Sequence, residues 1–408
     1  MILVMSDQND LITQWDEVVA GLPTALDLEV SARNCGLFSR VRAVRSAADL
    51  LRLALVYGFC GFSLRQTAAW AEAQGVASFS APGLMKQFRR ASTWMKHLLG
   101  ELLAERSQSP RLPGAFRLKL IDATCLSHPG SKGTNWRLHL GFDPVAMAIS
   151  HVLVTDAGTG ETLSRHPIDP GDLLVCDAGY AKRPGLWAAH DAGGGFIVRL
   201  NWQNVPLLHT NGTPFDLLAA LRCLSDTEIG DVSVLVGDDP TARGRQLPAR
   251  LIAVRKAPEA AEKARHKIRK ECRRKKRKPD PRTLEAAGYM FVLTSVNADQ
   301  MPAVAVLETY RFRWQVELSF KRLKSLLHLD DLPAKEPDLA QTFICAKIIA
   351  AILLDRLAER SRDFSPWGRT LPVAAPFHVA HSASLGRSAP GRHTGRARVL
   401  QLATADCR

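Results

Sequence analysis

None of the eight cysteines forms a Cys-x2-Cys pair, so the sequence carries neither a zinc-ribbon nor a redox spacing. Cys35, Cys60, Cys125, Cys176, Cys223, Cys272, Cys345 and Cys407 are scattered. Several lie in apolar runs, where Cys acts as a small hydrophobe, and a reducing compartment is expected. Met1 to Asp10 has no basic start leading into an apolar run, so no signal peptide is expected. The apolar runs at 47–62 and 342–354 are interrupted by charge or too short to cross a bilayer, which gives a cytoplasmic expectation. Acidic residues are the minority, 40 Asp and Glu against 54 Lys and Arg, for a net charge of +14. Lys and Arg that displace phosphate counterions gain affinity, so the excess points to a polyanionic partner. Disorder is not the default at 46% hydrophobic and 23% charged residues. A chain of 408 residues exceeds what one core usually carries.

Residues 1–110 read as a helical N-terminal domain. Leu50, Leu51, Ala54 and Leu55 are at helical spacing. Ser63 caps a second helix through Ala73, stopped by Gly75, and a third runs from about Gly83 to Leu99. Lys86, Arg89 and Arg90 on the third helix fit a DNA-contacting helix-turn-helix or, equally, the solvated face of a bundle. Pro110 to Pro113 marks a linker. In 114–192 the pattern turns to short strands at Phe116–Ile121, Arg137–Phe142, His151–Thr155 and Leu173–Cys176, then a helix at 183–192. Residues 193–280 read as a β-rich insertion ending in a basic helix, Glu259 to Lys278. That run is long and one-signed, which favours phosphate contact or a mobile arm over a plain solvated face. Residues 281–358 hold a strand at Tyr289–Val296 and two long helices, Thr309–Leu327 and Asp338–Leu357. Residues 359–408 are rich in Ser, Gly, Arg, Pro and His, and disorder is expected from about Ser361.

Two aspartates follow apolar strands: Asp122 after Leu118–Ile121, and Asp177 after Leu173–Cys176. In open parallel sheets functional groups gather beyond the carboxyl ends of strands, although a lone Asp there is more often a cap or turn residue. Along the 309–327 helix, Tyr310, Arg313, Glu317, Lys321 and Lys324 project within an arc of roughly 80°. Phe312, Val316, Phe320, Leu323 and Leu327 form the neighbouring apolar stripe. One carboxylate among cations and a phenol suits a metal and a phosphate together, and simple helix ion pairs would give the same pattern. Trp314 could stack on a base or bury in the core. His128, His139 and His151 have no usable ligand spacing, and His378 and His381 lie in the tail.

Three blocks resemble the DDE transposases of the insertion sequence 4 family. They are Ile121-Asp122-Ala123-Thr124, Val175-Cys176-Asp177-Ala178-Gly179-Tyr180, and Tyr310-x2-Arg313-x3-Glu317-x6-Lys324, the family's Tyr-Arg-Glu-Lys signature. The resemblance covers about residues 40–357. It implies an α/β, ribonuclease-H-like catalytic core with a β-rich insertion. It also implies metal-dependent cut-and-paste transposition of an insertion sequence. Asp122, Asp177 and Glu317 would be the catalytic and metal-binding residues, holding two Mg2+ (or Mn2+) ions. Tyr310, Arg313 and Lys324 would grip phosphates of the DNA, and Trp314 and Lys321, from their place on the helix, are expected to add DNA contacts. Partners would be terminal inverted repeats, target DNA and a second copy of the chain. The family's helical continuation is replaced here by the tail. Two alternatives stand beside this reading: a ribonuclease-H-like DNA endonuclease without strand transfer, and a truncated, non-catalytic DNA-binding derivative.

Overall fold

The fold was analysed in a computed structural model that describes residues 15–37, 44–106, 116–226, 228–237, 245–325, 327–363 and 399–401. The expected linker at 110–113 and the histidines of the tail lie outside these residues.

Helical apolar spacing builds the first part. Helices α1 (Trp15–Ala20) and α2 (Leu28–Asn34) precede α3 (Ala47–Phe59), α4 (Leu64–Ala73) and α5 (Ala81–Arg106). Ser46 caps α3 by accepting from the Asp49 N–H, and Ser63 with Gln66 forms a capping box on α4. Gly75, at φ +65°, turns the chain after α4 in the left-handed region open to glycine. Helix α5 runs one to two turns beyond the expected Leu99, because Leu84, Phe88, Ala91, Met95, Leu98 and Leu102 keep one buried stripe through its length. Lys86, Arg89 and Arg90 are exposed on it, and Arg89 pairs with Glu336 at 3.2 Å.

The strands are β1 (Arg117–Leu126), β2 (Trp136–Asp143), β3 (Ala148–Asp156), β4 (Asp172–Cys176), β5 (Gly195–Arg199), β6 (Leu207–Leu208), β7 (Ile229–Val236), β8 (Leu247–Arg255), β9 (Tyr289–Thr294) and β10 (Val399–Gln401). Among the described residues they form a single ten-stranded sheet, in the order β10-β7-β8-β9-β5-β4-β1-β2-β3, with β6 on β7. Strands β1, β2 and β3 are antiparallel neighbours, whereas β4 lies parallel to β1 and β5 parallel to β4. The β4 sequence Asp-Leu-Leu-Val-Cys is buried throughout, as expected of a strand covered on both faces.

Three expectations are corrected and one is made more definite. The strand holding Asp122 does not end there: it continues to Leu126, hydrogen-bonded to β2 with Asp122 opposite Leu140. Its parallel partner β4 stops earlier, with Ile121 opposite Cys176, so Asp122 and Asp177 both lie just past the end of that pairing. Secondly, residues 193–280 hold β5 to β8, and these strands join the one sheet. Strand β9 returns antiparallel to β5 and pairs on its other side with β8, which extends the same sheet. Thirdly, the helix expected at 309–327 is two: α10 (Ala303–Arg311) and α11 (Trp314–Ser325). At the joint, Phe312, Arg313, Gln315 and Val316 donate to carbonyls three residues back, a tighter winding that resets the helical phase. Finally, the disorder expected after Ser361 falls mostly outside the described residues, but Val399–Gln401 forms β10 beside β7.

Helices α6 (Arg183–Asp191), α7 (Leu217–Arg222), α8 (Pro258–Arg274), α9 (Pro281–Ala286) and α12 (Pro337–Asp363) complete the chain. By length and composition, Pro337–Leu357 could cross a membrane, but most of it is buried inside the protein. It packs on α5 and α3, where a Cβ on Gly58 would come within 2.7 Å of the Ala346 Cβ, so glycine permits the close crossing. One apolar cluster joins α3, α5 and α12 to the sheet through Leu120, Leu138 and Leu140. Between β2, β3 and the following loop, His139, His151 and His166 pack edge to face, and burial depresses all three pKa values.

Lys347 is buried at 3% exposure on α12, with its ammonium over the Phe343 ring and donating to the Leu327 carbonyl. Burial lowers its pKa from 10.5 to about 8, against the upward pull of Asp331 and Asp330. The folded-state pKa lies below the unfolded one. The penalty for holding the charge is therefore full below about pH 8 and disappears as pH rises toward 10.5. Lys347→Met is expected to stabilise the neutral-pH protein by about 1–3 kcal/mol. It should also flatten the rise in stability between pH 8 and 10.5, both read by thermal unfolding. A lower thermal midpoint in the variant would contradict this.

Candidate active site

The candidate site lies at the sheet edge where the β1–β4 pairing ends. The Asp122 side chain, 17% exposed, receives its own following N–H, from Ala123, at 2.8 Å. Asp177 sits one residue past β4 and accepts the Gly179 N–H at 2.9 Å, a tight turn that aims its carboxylate back over the edge. Glu317 projects from the first turn of α11, whose Val316, Phe320 and Leu323 bury on the neighbouring face. Helix α11 packs against β1 and β2, and Lys324 ties its far end to the Cys125 carbonyl at 3.2 Å.

Arg313, at the joint between α10 and α11, bridges two of the acids. Its guanidinium donates to Glu317 Oε1 at 2.7 Å and stands 3.6 Å from Asp122 Oδ2. It also lies over the Tyr310 ring, 5.8 Å from the centroid. Tyr310 is buried at 8% exposure, and burial raises its phenol pKa. Burial pushes the Asp122 carboxyl up to about 6, and the fields of Asp177 and Glu317 add to this. The Ala123 N–H and Arg313 pull the other way. Asp122, Asp177 and Glu317 thus converge closely enough for their charges to interact. Trp314 is half exposed, which rules out its burial in the core, and Lys321 is also exposed.

The donor set fits a hard divalent cation. Every candidate donor is a carboxylate oxygen, the hard donor type such a cation takes. As they stand, no three His, Cys, Asp or Glu among the described residues are gathered at ligating distance. Arg313 occupies the gap between Asp122 and Glu317.

One acid at this edge has no counterpart in the sequence analysis. Glu161, in the β3–β4 connection, is half-buried and lies close enough to Asp177 that the two repel. Its pKa is raised first by burial and then by that neighbour. Arg137 Nε approaches it at 3.8 Å. A Cβ on Gly179 would fall 1.9 Å from Glu161 Oε2 and 3.1 Å from Asp177 Oδ1, so glycine is what lets the two acids share the turn. Nothing in its spacing marks Glu161; the missing side chain at 179 is the only trace of it.

Residues 114–353 match the model of the transposase DDE domain. The chain belongs to the DDE transposase family. It is 40% identical over 354 residues to the InsL protein of insertion sequence element IS186A of Escherichia coli (strain K12), covering 86% of this chain and 96% of that one. The transposase for insertion sequence element IS421 of Escherichia coli is 40% identical over 355 residues, with the same coverage. A solved piggyBac transposase synaptic complex with hairpin DNA aligns over 85% of this chain and 74% of that one. The TM-score of 0.39 and 10% identity are too low to carry an argument. The protein is thus an insertion-sequence transposase, an enzyme of DNA cleavage and strand transfer that works with a divalent metal.

Glu161→Gln is expected to fold normally and to raise the Mg2+ concentration for half-maximal cleavage by about tenfold, the size of effect seen when a ligand's supporting partner is lost. Gly179→Ala should do the same, because the new methyl displaces the Glu161 carboxylate. An unchanged Mg2+ dependence in both would leave Glu161 as no more than the Arg137 ion-pair partner.

Proposed function

We propose that the protein is a member of the insertion sequence 4 group carrying the Tyr-Arg-Glu-Lys signature, with Asp122, Asp177 and Glu317 as its catalytic carboxylates. Its core is read as ribonuclease-H-like. The strand order β3-β2-β1-β4-β5, antiparallel on one side of β1 and parallel on the other, supports that reading. The observation that carries the proposal is the meeting of three acids from β1, the end of β4 and α11 at a single edge, with Arg313 between two of them.

The same three carboxylates would hold two Mg2+ ions, with Mn2+ as a substitute. When bound, the metal supplies activation of an oxygen nucleophile and neutralisation of the leaving oxygen. The chain's own groups do the rest. Arg313 balances Asp122 and Glu317 while the site is free, and its fork is built to exchange a carboxylate for a phosphate. Lys324 and Tyr310 fix the two helices on either side of Arg313, and with it they would grip the backbone of the cut strand. Exposed Trp314 and Lys321 are available to a base and a phosphate on the outer face. The substrates would be the element's terminal inverted repeats and target DNA, bound by a homodimer in the cytoplasm.

Purified protein given an element-end duplex with Mn2+ is expected to nick at the end. Asp122→Ala, Asp177→Ala and Glu317→Gln should each lower cleavage by at least about a thousandfold while leaving DNA affinity intact. Normal cleavage by Glu317→Gln would sink the assignment. Cleavage without joining to target DNA would favour the endonuclease reading.

A further inference from the structure

Helix α8 is anchored on one side and strongly basic on the other. Ala261 and Cys272 are buried, Ile268 is partly buried, and Arg265 Nε donates to the Leu284 carbonyl of α9 at 3.3 Å. At about 100° per residue, these four cover an arc of roughly 60°. Lys263, Lys267, Lys270 and Arg274 occupy a second arc of roughly 60°, centred on the opposite side, and all four are exposed. They extend about 16 Å along the axis. Among the described residues, none of the four pairs with a carboxylate. The local acids Glu262 and Glu271 are taken by Arg265, Arg269 and Lys275 instead. Only Glu259, in the first turn, falls at a similar azimuth. A merely solvated helix would pair its charges at i,i+4, and this stripe does not.

Topology places the stripe at the edge that holds the carboxylates. Strand β5 runs parallel to β4 and ends at Arg199, opposite Val292 of β9. Tyr289, at the start of β9, lies beyond that point and pairs with Arg255 at the end of β8. The whole β8–α8–α9–β9 connection therefore leaves the sheet where β4 ends and Asp177 follows. Exposed Arg199 fills the interval. It stands near enough to perturb both Lys256, beneath α8, and Tyr310, beneath Arg313, while Arg265 of α8 in turn perturbs Lys256.

We propose that the outward stripe of α8, continued by Arg199, is a track for the phosphate backbone of double-stranded DNA leading to the candidate active site. The partner's chemistry follows from charge complementarity. A duplex offers one phosphate charge per roughly 1.7 Å of axis, so a stripe of this length spans several phosphates and reads no sequence. The inference rests on the proposed site for where the track leads, though not for the binding itself.

The test is the affinity of the full chain for a labelled duplex of arbitrary sequence, measured from roughly 50 to 200 mM salt. The variant Lys263→Ala/Lys267→Ala/Lys270→Ala/Arg274→Ala is expected to keep its thermal midpoint, since exposed helical positions favour alanine. The slope of log affinity against log salt should fall by about 3 to 4 units, and low-salt affinity by at least about tenfold. A photocrosslinker on Lys267→Cys should label phosphates at a fixed distance from the nick. A wild-type slope in the fourfold variant overturns the proposal. So does loss of heparin retention with duplex affinity unchanged, which would mark a general polyanion surface, or labelling spread evenly along the duplex. Asp122→Ala, run in parallel, should lose cleavage and keep the wild-type slope. If it cleaves, the carboxylate assignment fails while the track is judged by its own slope.

Discussion

A single guanidinium sets the charge balance of the site. Arg313 holds Glu317 and faces Asp122, and it offsets part of the repulsion that Asp177 and Glu317 exert on Asp122. Much of the surrounding structure serves to keep that group in place. Tyr310 lies under it, Lys324 fastens the following helix to β1, and the tight joint at 312–313 turns its side chain between the two acids. One guanidinium offsets only part of the charge of three carboxylates, which leaves the edge acidic and, under the proposed function, open to a divalent metal. A metal that took over the carboxylates would free an arginine fork where a phosphate must be gripped.

The other constraint is the unequal length of two neighbouring strands. β1 continues in a hairpin with β2, while β4 stops at Cys176. An acid in mid-strand and an acid just beyond a strand end are thereby brought to one edge. Asp122 has rigid backbone on both sides, whereas Asp177 depends on a turn whose glycine makes room for Glu161.

Asp122, Asp177 and Glu317 drew notice through three local blocks that resemble the family; strand-end position and helix spacing alone would equally fit a cap, a turn or a helix ion pair. The basic helix was legible because its run of charge is local. What escaped was whatever depends on partners far along the chain. The extension of β1 to Leu126 passes through Ala-Thr-Cys, a stretch too weakly apolar to signal a strand until β2 is beside it. That β7 and β8 join the core sheet through β9 could not be read, because their spacing carries no record of that pairing. Helical periodicity ran through residues 309–327 with no proline or glycine to interrupt it, so the change of winding at Arg313 left no mark. Glu161 sits among glycines and threonines in a loop, and its importance rests on an atom that residue 179 lacks.

The break between α10 and α11 has a mechanical meaning. Helix α10 rests on β4, β5, β7 and β8, whereas α11 rests on β1, β2 and α12. Tyr310 is therefore supported by one half of the sheet and Glu317 by the other, and Arg313 lies between them. A continuous rod would average any twist of the sheet along its length. Two short rods concentrate that twist at the joint, so any shear that a bound nucleic acid imposed under the proposed function would fall on Arg313.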